Sequence, residues 1–230
     1  MQINRLEVKV PLDYNQYLEL PSILNNLGVY PRRQYSDRWV NSIYLDSLAL
    51  TNYLENVIGL SNRQKIRFRW YDSLEQISIE RKQKTNKSSN KQSAKLSNIK
   101  ALRPDHAVAI GQLELENPQL LAYTLSLAPT LEVSYLRSYY EIASGIRMTI
   151  DRNMKFRSLS HPADKKMTNS PVASVVEFKY PVDKKERFRS TATELSFSIV
   201  STFKVRHRNG YRVRLVLLMG SVLLKSRLRG

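Results

Sequence analysis

Strict alternation of apolar and polar residues constrains this chain most, because it recurs in six short stretches whose polar sides are charged. In residues 3–10 the odd positions are Ile3, Arg5, Glu7 and Lys9, and the even ones are Asn4, Leu6, Val8 and Val10. Residues 65–71 set Lys65, Arg67, Arg69 and Tyr71 against Ile66, Phe68 and Trp70. Residues 76–84 set Ser78, Glu80, Lys82 and Lys84 against Ile77, Ile79 and Arg81. Arg147, Thr149 and Asp151 oppose Met148 and Ile150, while Glu177 and Lys179 oppose Val176, Phe178 and Tyr180. Residues 131–137 form a less regular sixth stretch. A period of two is that of a half-buried strand. Several strands whose polar faces pair Glu with Lys or Arg point to charged faces that converge. A mainly β fold with flanking helices meets that demand if about eight antiparallel strands close into a barrel. Its apolar faces would lie under helices, and its interior would be a basic tunnel suited to a chain of phosphates.

The charge balance agrees. Lys and Arg total 37 against 20 Asp and Glu, a net charge of +17, which predicts an anionic partner: nucleic acid, an acidic membrane surface or a polyphosphorylated small molecule. A length of 230 residues fits one sizeable core and a single domain over 1–230. Cysteine is absent, which excludes disulfides, thiolate metal sites and a cysteine nucleophile and fits a reducing, cytoplasmic compartment. The N-terminus carries no apolar signal-peptide core. No Gly-rich phosphate loop of the dinucleotide or P-loop type is present, so phosphate would be held by side chains.

Between the alternating stretches, Asp13 is placed to cap a helix through Leu18, Leu20, Ile23, Leu24 and Leu27 up to Gly28, with Pro21 predicting a kink or two short helices. Residues 41–46 read as a strand. A short helix then runs over Leu48, Leu50, Tyr53, Leu54 and Val57 to Gly59. Residues 72–75 make a hairpin loop between the strands at 65–71 and 76–84. The lysine-rich, acid-free tract within 81–100 predicts a basic mobile loop. Helices are expected around 105–115, 118–127 and 183–203, and a loop at 155–173. The apolar run 213–224, interrupted by Arg214, is too short to span a bilayer. It reads as a last strand or packed helix in an extension over 205–230, and flanking Lys225, Arg227 and Arg229 are its only link to a membrane surface.

Taken in order, seven motifs resemble the polyphosphate-polymerase domain of the vacuolar transporter chaperone complex, in the triphosphate tunnel metalloenzyme superfamily. They are Arg-Leu-Glu-Val-Lys (5–9), Asn-Ser-Ile-Tyr-Leu-Asp (41–46), Lys-Ile-Arg-Phe-Arg-Trp-Tyr (65–71), Ile-Glu-Arg-Lys (79–82), Pro-Thr-Leu-Glu-Val-Ser-Tyr-Leu-Arg (129–137), Arg-Met-Thr-Ile-Asp (147–151) and Val-Val-Glu-Phe-Lys-Tyr (175–180). The resemblance implies an enzyme that moves the γ-phosphoryl group of ATP onto inorganic polyphosphate, or a triphosphatase on the same scaffold. A non-catalytic module binding polyphosphate or nucleic acid is the remaining alternative. It implies that Lys9, Arg67, Arg69, Lys82, Arg137, Arg147 and Lys179 line the tunnel as the catalytic cations. Tyr135, Lys95 and Lys204 would contact substrate, and Glu177 would bind a divalent cation, Mn2+ or Mg2+. ATP and polyphosphate or triphosphate are the implied partners, and membrane-associated partner chains would place the protein at the inner face of a membrane. Sister branches of the superfamily open with Glu-x-Glu-x-Lys, where this chain has Arg5. The change removes one metal ligand and favours a longer anion.

The residue types agree with that chemistry. Phosphoryl transfer needs positioning and charge neutralisation more than acid–base groups, so His106, His161 and His207 have no required role. Glu7 and Glu80 read as structural, and Asp46 and Asp151 as cap and loop residues. Phe68 and Trp70 lie on an apolar face and read as core, which argues against a base-stacking platform for nucleic acid.

Overall fold

In a computed structural model, residues 5–86, 88–96, 117–143, 145–159 and 166–181 are described. The strands are β1 (Arg5–Leu12), β2 (Arg32–Asp46), β3 (Arg63–Tyr71), β4 (Ile77–Thr85), β5 (Ser88–Leu96), β6 (Ala128–Ala143), β7 (Ile146–Ser158), β8 (Thr168–Asn169) and β9 (Ser174–Pro181). The helices are α1 (Tyr14–Asn26), α2 (Thr51–Ile58) and the single turn α3 (Pro118–Leu121). The sheet order is β1-β9-β7-β6-β2-β3-β4-β5, with β8 attached to β7. The ladders between β1 and β9, β9 and β7, β7 and β8, β2 and β3, β3 and β4, and β4 and β5 are all antiparallel. The mainly β, antiparallel expectation holds. Closure does not: among the described residues the path begins at β1 and ends at β5, so the expected closed barrel is corrected to an open sheet.

Contacts gather into two units. Among the described residues, the first comprises those within 5–38, 135–154 and 170–181, and the second those within 39–134 and 155–169. In the first unit the even residues of β1, β7 and β9 make the core: Val10, Met148, Ile150, Val176, Phe178 and Tyr180, joined by Leu20 and Leu24 of α1. Each fully buried side chain of this size contributes about 1.5–3 kcal/mol. The α1 helix forms because Asp13 accepts a hydrogen bond from the Gln16 amide at 2.9 Å while the Gln16 side chain accepts one from the Asp13 amide at 2.9 Å, a reciprocal cap. Pro21 lies inside one unbroken helix, so the predicted split does not occur. With α1 on the apolar side, the odd residues of β1, β7 and β9 face the other way. That is how the sequence pattern assembles the charged cluster described below.

In the second unit Ile43, Leu45, Ile66, Phe68, Trp70, Ile77, Ile79, Leu96 and Leu120 form the core. Asp46 reads as predicted, a cap: Oδ1 accepts from the Asn52 amide at 2.9 Å and Oδ2 from the Tyr53 amide at 2.8 Å, filling two of the orphan donors at the start of α2. Gly59 ends α2 at φ +77, a conformation that L side chains reach only with strain.

Two loop expectations are corrected. Residues 81–96 of the basic tract are not a loop but the β4–β5 hairpin, with Thr85 opposite Ser88. β5 escaped notice because it is polar except for Ala94 and Leu96, as suits a strand at the end of a sheet. Residues 155–158 and 168–169, expected as loop, belong to β7 and β8. The predicted helix at 118–127 shrinks to α3. The helices at 105–115 and 183–203, Lys204, the extension 205–230 and all three histidines lie outside the described residues. Among the described residues, no helix is long and apolar enough to cross a membrane.

Candidate anion-binding clusters

Antiparallel register sets the first cluster. Lys9 on β1 pairs with Glu177 on β9, and Glu7 pairs with Lys179. On its other side β9 meets β7, where Thr149 pairs with Glu177 and Arg147 with Lys179. Glu177 is 2% exposed, and three cations surround it. Lys9 Nζ donates to Oε2 at 3.1 Å, Arg137 Nη2 stands 3.6 Å from Oε2, and Lys179 Nζ lies 2.6 Å from Oε1. Burial pushes the carboxyl up, but the charges of Lys9, Lys179 and Arg137 outweigh it and hold Glu177 well below the usual carboxylate range. Lys9 feels the reverse: burial lowers its ammonium, yet Glu177 and Glu7, the latter 3.3 Å away, raise it on balance.

Arg137 on β6 is held differently. Its Nε and Nη2 donate to Oδ1 and Oδ2 of Asp151 at 2.5 and 2.6 Å, a bidentate fork, and its guanidinium carbon lies 5.2 Å from the centre of the Tyr135 ring. Asp151 is fully buried on β7, so its loop reading is corrected: it is the anchor of Arg137. Hydrogen bonding to Asp151 and the nearby charges overcome burial and raise Arg137 further above its ordinary value. The sequence signal for the pair is Gly145, which stands at φ +77 just before β7 and marks the change of direction between two neighbouring strands.

The second cluster lies on the polar face of β2–β5. Tyr44 pairs with Arg67 and Ser42 with Arg69. Arg67 then pairs with Glu80, and Lys65 with Lys82. Lys82 in turn pairs with Lys91, and Ser78 with Lys95. Glu80 is the hub. Arg67 Nε and Nη2 both donate to Oε2 at 2.9 and 2.7 Å, Arg69 Nη1 stands at 3.6 Å, and Lys91 Nζ donates to Oε1 at 2.6 Å. Burial raises Glu80, but Arg67 and Arg69 prevail and lower it to about 2. Arg67 Nη1 also donates to the Tyr44 hydroxyl at 3.0 Å. The structural reading of Glu80 therefore holds. Lys91 and Tyr44 are members that the sequence reading missed.

The structure thus brings Lys9, Tyr135, Arg137, Arg147, Glu177 and Lys179 together in the first unit, and Arg67, Arg69, Lys82 and Lys95 together in the second. Phe68 and Trp70 are buried at 0% and 7% exposure, so neither can stack on a base.

Tyr44 reports on its cluster. Burial alone would raise its phenol, but Arg67, Arg69 and Lys65 lower it to about 8. Ultraviolet titration is expected to show one of the thirteen tyrosines ionising near pH 8, a step that Tyr44→Phe removes. Because the folded phenol ionises before the unfolded one near 10.0, stability from this group rises as pH climbs from about 8 to 10. An anion bound to the same guanidinium groups should move the step upwards.

The sequence profile of the VTC domain family matches residues 4–203. The chain belongs to the VTC domain family. No curated protein sequence matches it at a significant level. Among solved structures, it resembles a Hippeastrum protein described as having a dominant triphosphatase activity, at 10% identity and a TM-score of 0.51 over 85% of this chain and 89% of that one. Proteins of Pyrococcus furiosus and Pyrococcus horikoshii align at 12% identity, TM-score 0.47, over 84% and 91%, and at 13%, TM-score 0.45, over 90% and 96% of the two chains respectively. The Hippeastrum likeness shows a shared fold.

Within this VTC domain the metal expectation meets a specific donor set. Among the described residues no group of three or more His, Cys, Asp or Glu could hold a metal ion by itself. Yet Thr149 Oγ1, on the register partner of Glu177, is buried with no hydrogen bond, and Glu177 Oε1 is held only by the half-exposed Lys179 ammonium at 2.6 Å. A hard divalent cation that takes one carboxylate and draws its remaining oxygens from phosphate and water fits such a site.

Proposed function

We propose that this VTC domain is a metal-dependent polyphosphate polymerase that transfers the γ-phosphoryl group of ATP onto a growing inorganic polyphosphate chain. The buried Glu177 carboxylate, flanked by Lys9, Arg137 and Lys179, carries the reading. It is a preformed anion site held in place by cations that a phosphate chain can recruit.

In the reaction an oxygen of the terminal chain phosphate attacks the γ-phosphorus of ATP. The bond from that phosphorus to the β,γ-bridging oxygen breaks, its electron pair leaves with ADP, and the chain is one phosphate longer. The attacking oxygen is already ionised, so no general base is needed, in keeping with clusters built from Lys, Arg and carboxylates. Lys9 and Lys179, whose side chains are 36% and 38% exposed, are free to swing from Glu177 to phosphate oxygens. Arg137, forked to Asp151, keeps its place and presents a fixed charge. Arg147, opposite Lys179, supplies a further cation at the exposed end of the row. In the second unit Arg67, Arg69, Lys82 and Lys95 bind phosphate, with Glu80 orienting Arg67. Tyr135 and Lys204 complete the proposed substrate contacts. A Mn2+ or Mg2+ ion on Glu177 would neutralise charge on the phosphate oxygens.

The test is to incubate the purified chain with ATP and Mn2+, then resolve polyphosphate on gels and assay free phosphate. A ladder of chains with ADP is expected. Free phosphate without chains would instead make it a triphosphatase, the activity described for the Hippeastrum protein of the same fold. Silence in both assays with polyphosphate bound would leave a binding module.

A further inference from the structure

Helix α2 is built inside out. Its buried residues are Asn52 and Asn56, while Leu54, Val57 and Ile58 are exposed. The Asn56 amide is satisfied by backbone: its Nδ2 donates to the Asn52 carbonyl at 2.7 Å and to the Gln64 carbonyl of β3 at 2.9 Å. The polar face therefore fixes the helix to the sheet, and the apolar face is left outside. Leu54, Val57 and Ile58, spaced i, i+3, i+4, share one stripe. Leu48, 97% exposed just before the helix, and Leu60, 45% exposed just after it, extend it at both ends.

Cations border the far end. Arg63 Nη1 donates to the Leu60 carbonyl at 2.5 Å, and Lys84 pairs with Arg63 in the β3–β4 ladder. The Asn86 amide donates to the Ser61 carbonyl at 3.1 Å, seating the β4–β5 turn against the segment that leaves α2.

We propose that this face docks the protein on an anionic lipid surface, with the aliphatic stripe entering the headgroup boundary and Arg63 and Lys84 meeting lipid phosphates. Two features of the patch select a membrane over a protein. Its exposed side chains are aliphatic, whereas the energetic centres of protein interfaces are enriched in Trp, Tyr and Arg and depleted in Leu and Val. A fluid apolar phase with an anionic border asks only for apolar area and positive charge. The net charge of +17 also opposes pairing with a second copy.

The test uses the full chain with vesicles of phosphatidylcholine alone or mixed with phosphatidylserine, read by flotation. Wild type is expected to float with the mixed vesicles. The double variant Leu54→Ser, Ile58→Ser is expected to bind them at least about tenfold more weakly, with an unchanged melting temperature and unchanged affinity for free polyphosphate. Equal flotation of variant and wild type would overturn the proposal, since the basic clusters alone would then explain lipid binding. Absence of flotation would overturn it too. A concentration-dependent increase in mass that the double variant abolishes would overturn it in favour of a contact between copies.

Discussion

Replacing Glu177 by glutamine is expected to reduce metal-dependent turnover at least about 100-fold, since even the outer partners of metal ligands cost 10–100-fold when lost. The same substitution leaves Lys9, Lys179 and Arg137 facing one another without their shared anion. Removing one member of a buried ion cluster costs about 3–5 kcal/mol, and the partly open lysines place this case at the low end. Added polyphosphate replaces the missing negative charge, so it should raise the melting temperature of Glu177→Gln more than that of wild type. Turnover is read by ADP release with Mn2+, and stability by thermal melts with and without polyphosphate. Unchanged turnover would remove the metal role from Glu177, and equal melting shifts would remove the anion role from its cations.

Arg67→Ala should have the second largest effect. It deletes two charged hydrogen bonds to Glu80 and the donor to Tyr44, together with a proposed phosphate contact. Charged hydrogen bonds contribute about 1.5–3 kcal/mol each, so polyphosphate affinity is expected to fall about 10- to 100-fold. The acid limb of stability gives an independent measure. In the folded state Arg67 and Arg69 outweigh burial and lower Glu80 from the ordinary carboxylate value of 4.5 to about 2. Its stabilisation is therefore present above about 4.5 and lost as pH falls towards 2, roughly 3 kcal/mol in all. In Arg67→Ala the folded value rises towards the ordinary one, neutral stability drops and the slope between those pH values flattens. Denaturant melts at pH 3 and pH 7 would show it. An unaltered difference between them would mean that Arg69 and Lys91 already suffice to hold Glu80 ionised.

Much of both clusters was legible because alternation alone assigns a face. Odd positions of β1, β7 and β9 converge on Glu177 once α1 covers the even ones, and β3 and β4 follow the same logic around Glu80. What escaped lacks a periodic signature. β5 offers only Ala94 and Leu96 as apolar residues, so its pattern reads as loop, and Lys91 went with it. Asp151 read as a loop residue because a lone carboxylate in sequence does not announce the arginine fourteen residues earlier that will claim it. Tyr44 stands in an apolar-looking run, and only its register opposite Arg67 gives it a charged neighbour. Closure of the sheet is a property of pairing between distant strands, which a local pattern does not carry.

The two clusters differ in how completely their charges are matched, and this should make them respond differently to ionic strength. In the first, Lys9, Arg137, Arg147 and Lys179 face Glu7, Asp151 and Glu177, leaving an excess of one positive charge. In the second, Lys65, Arg67, Arg69, Lys82, Lys91 and Lys95 face Glu80 alone, an excess of five. Dissolved salt screens exposed charges strongly and buried pairs weakly, and Lys82, Lys91 and Lys95 are exposed while Glu177 is not. The second unit is thus expected to attract anions at long range, strongly at low salt and weakly at high. The first is expected to lose less affinity as salt rises, because its charges are mostly matched by one another at short range.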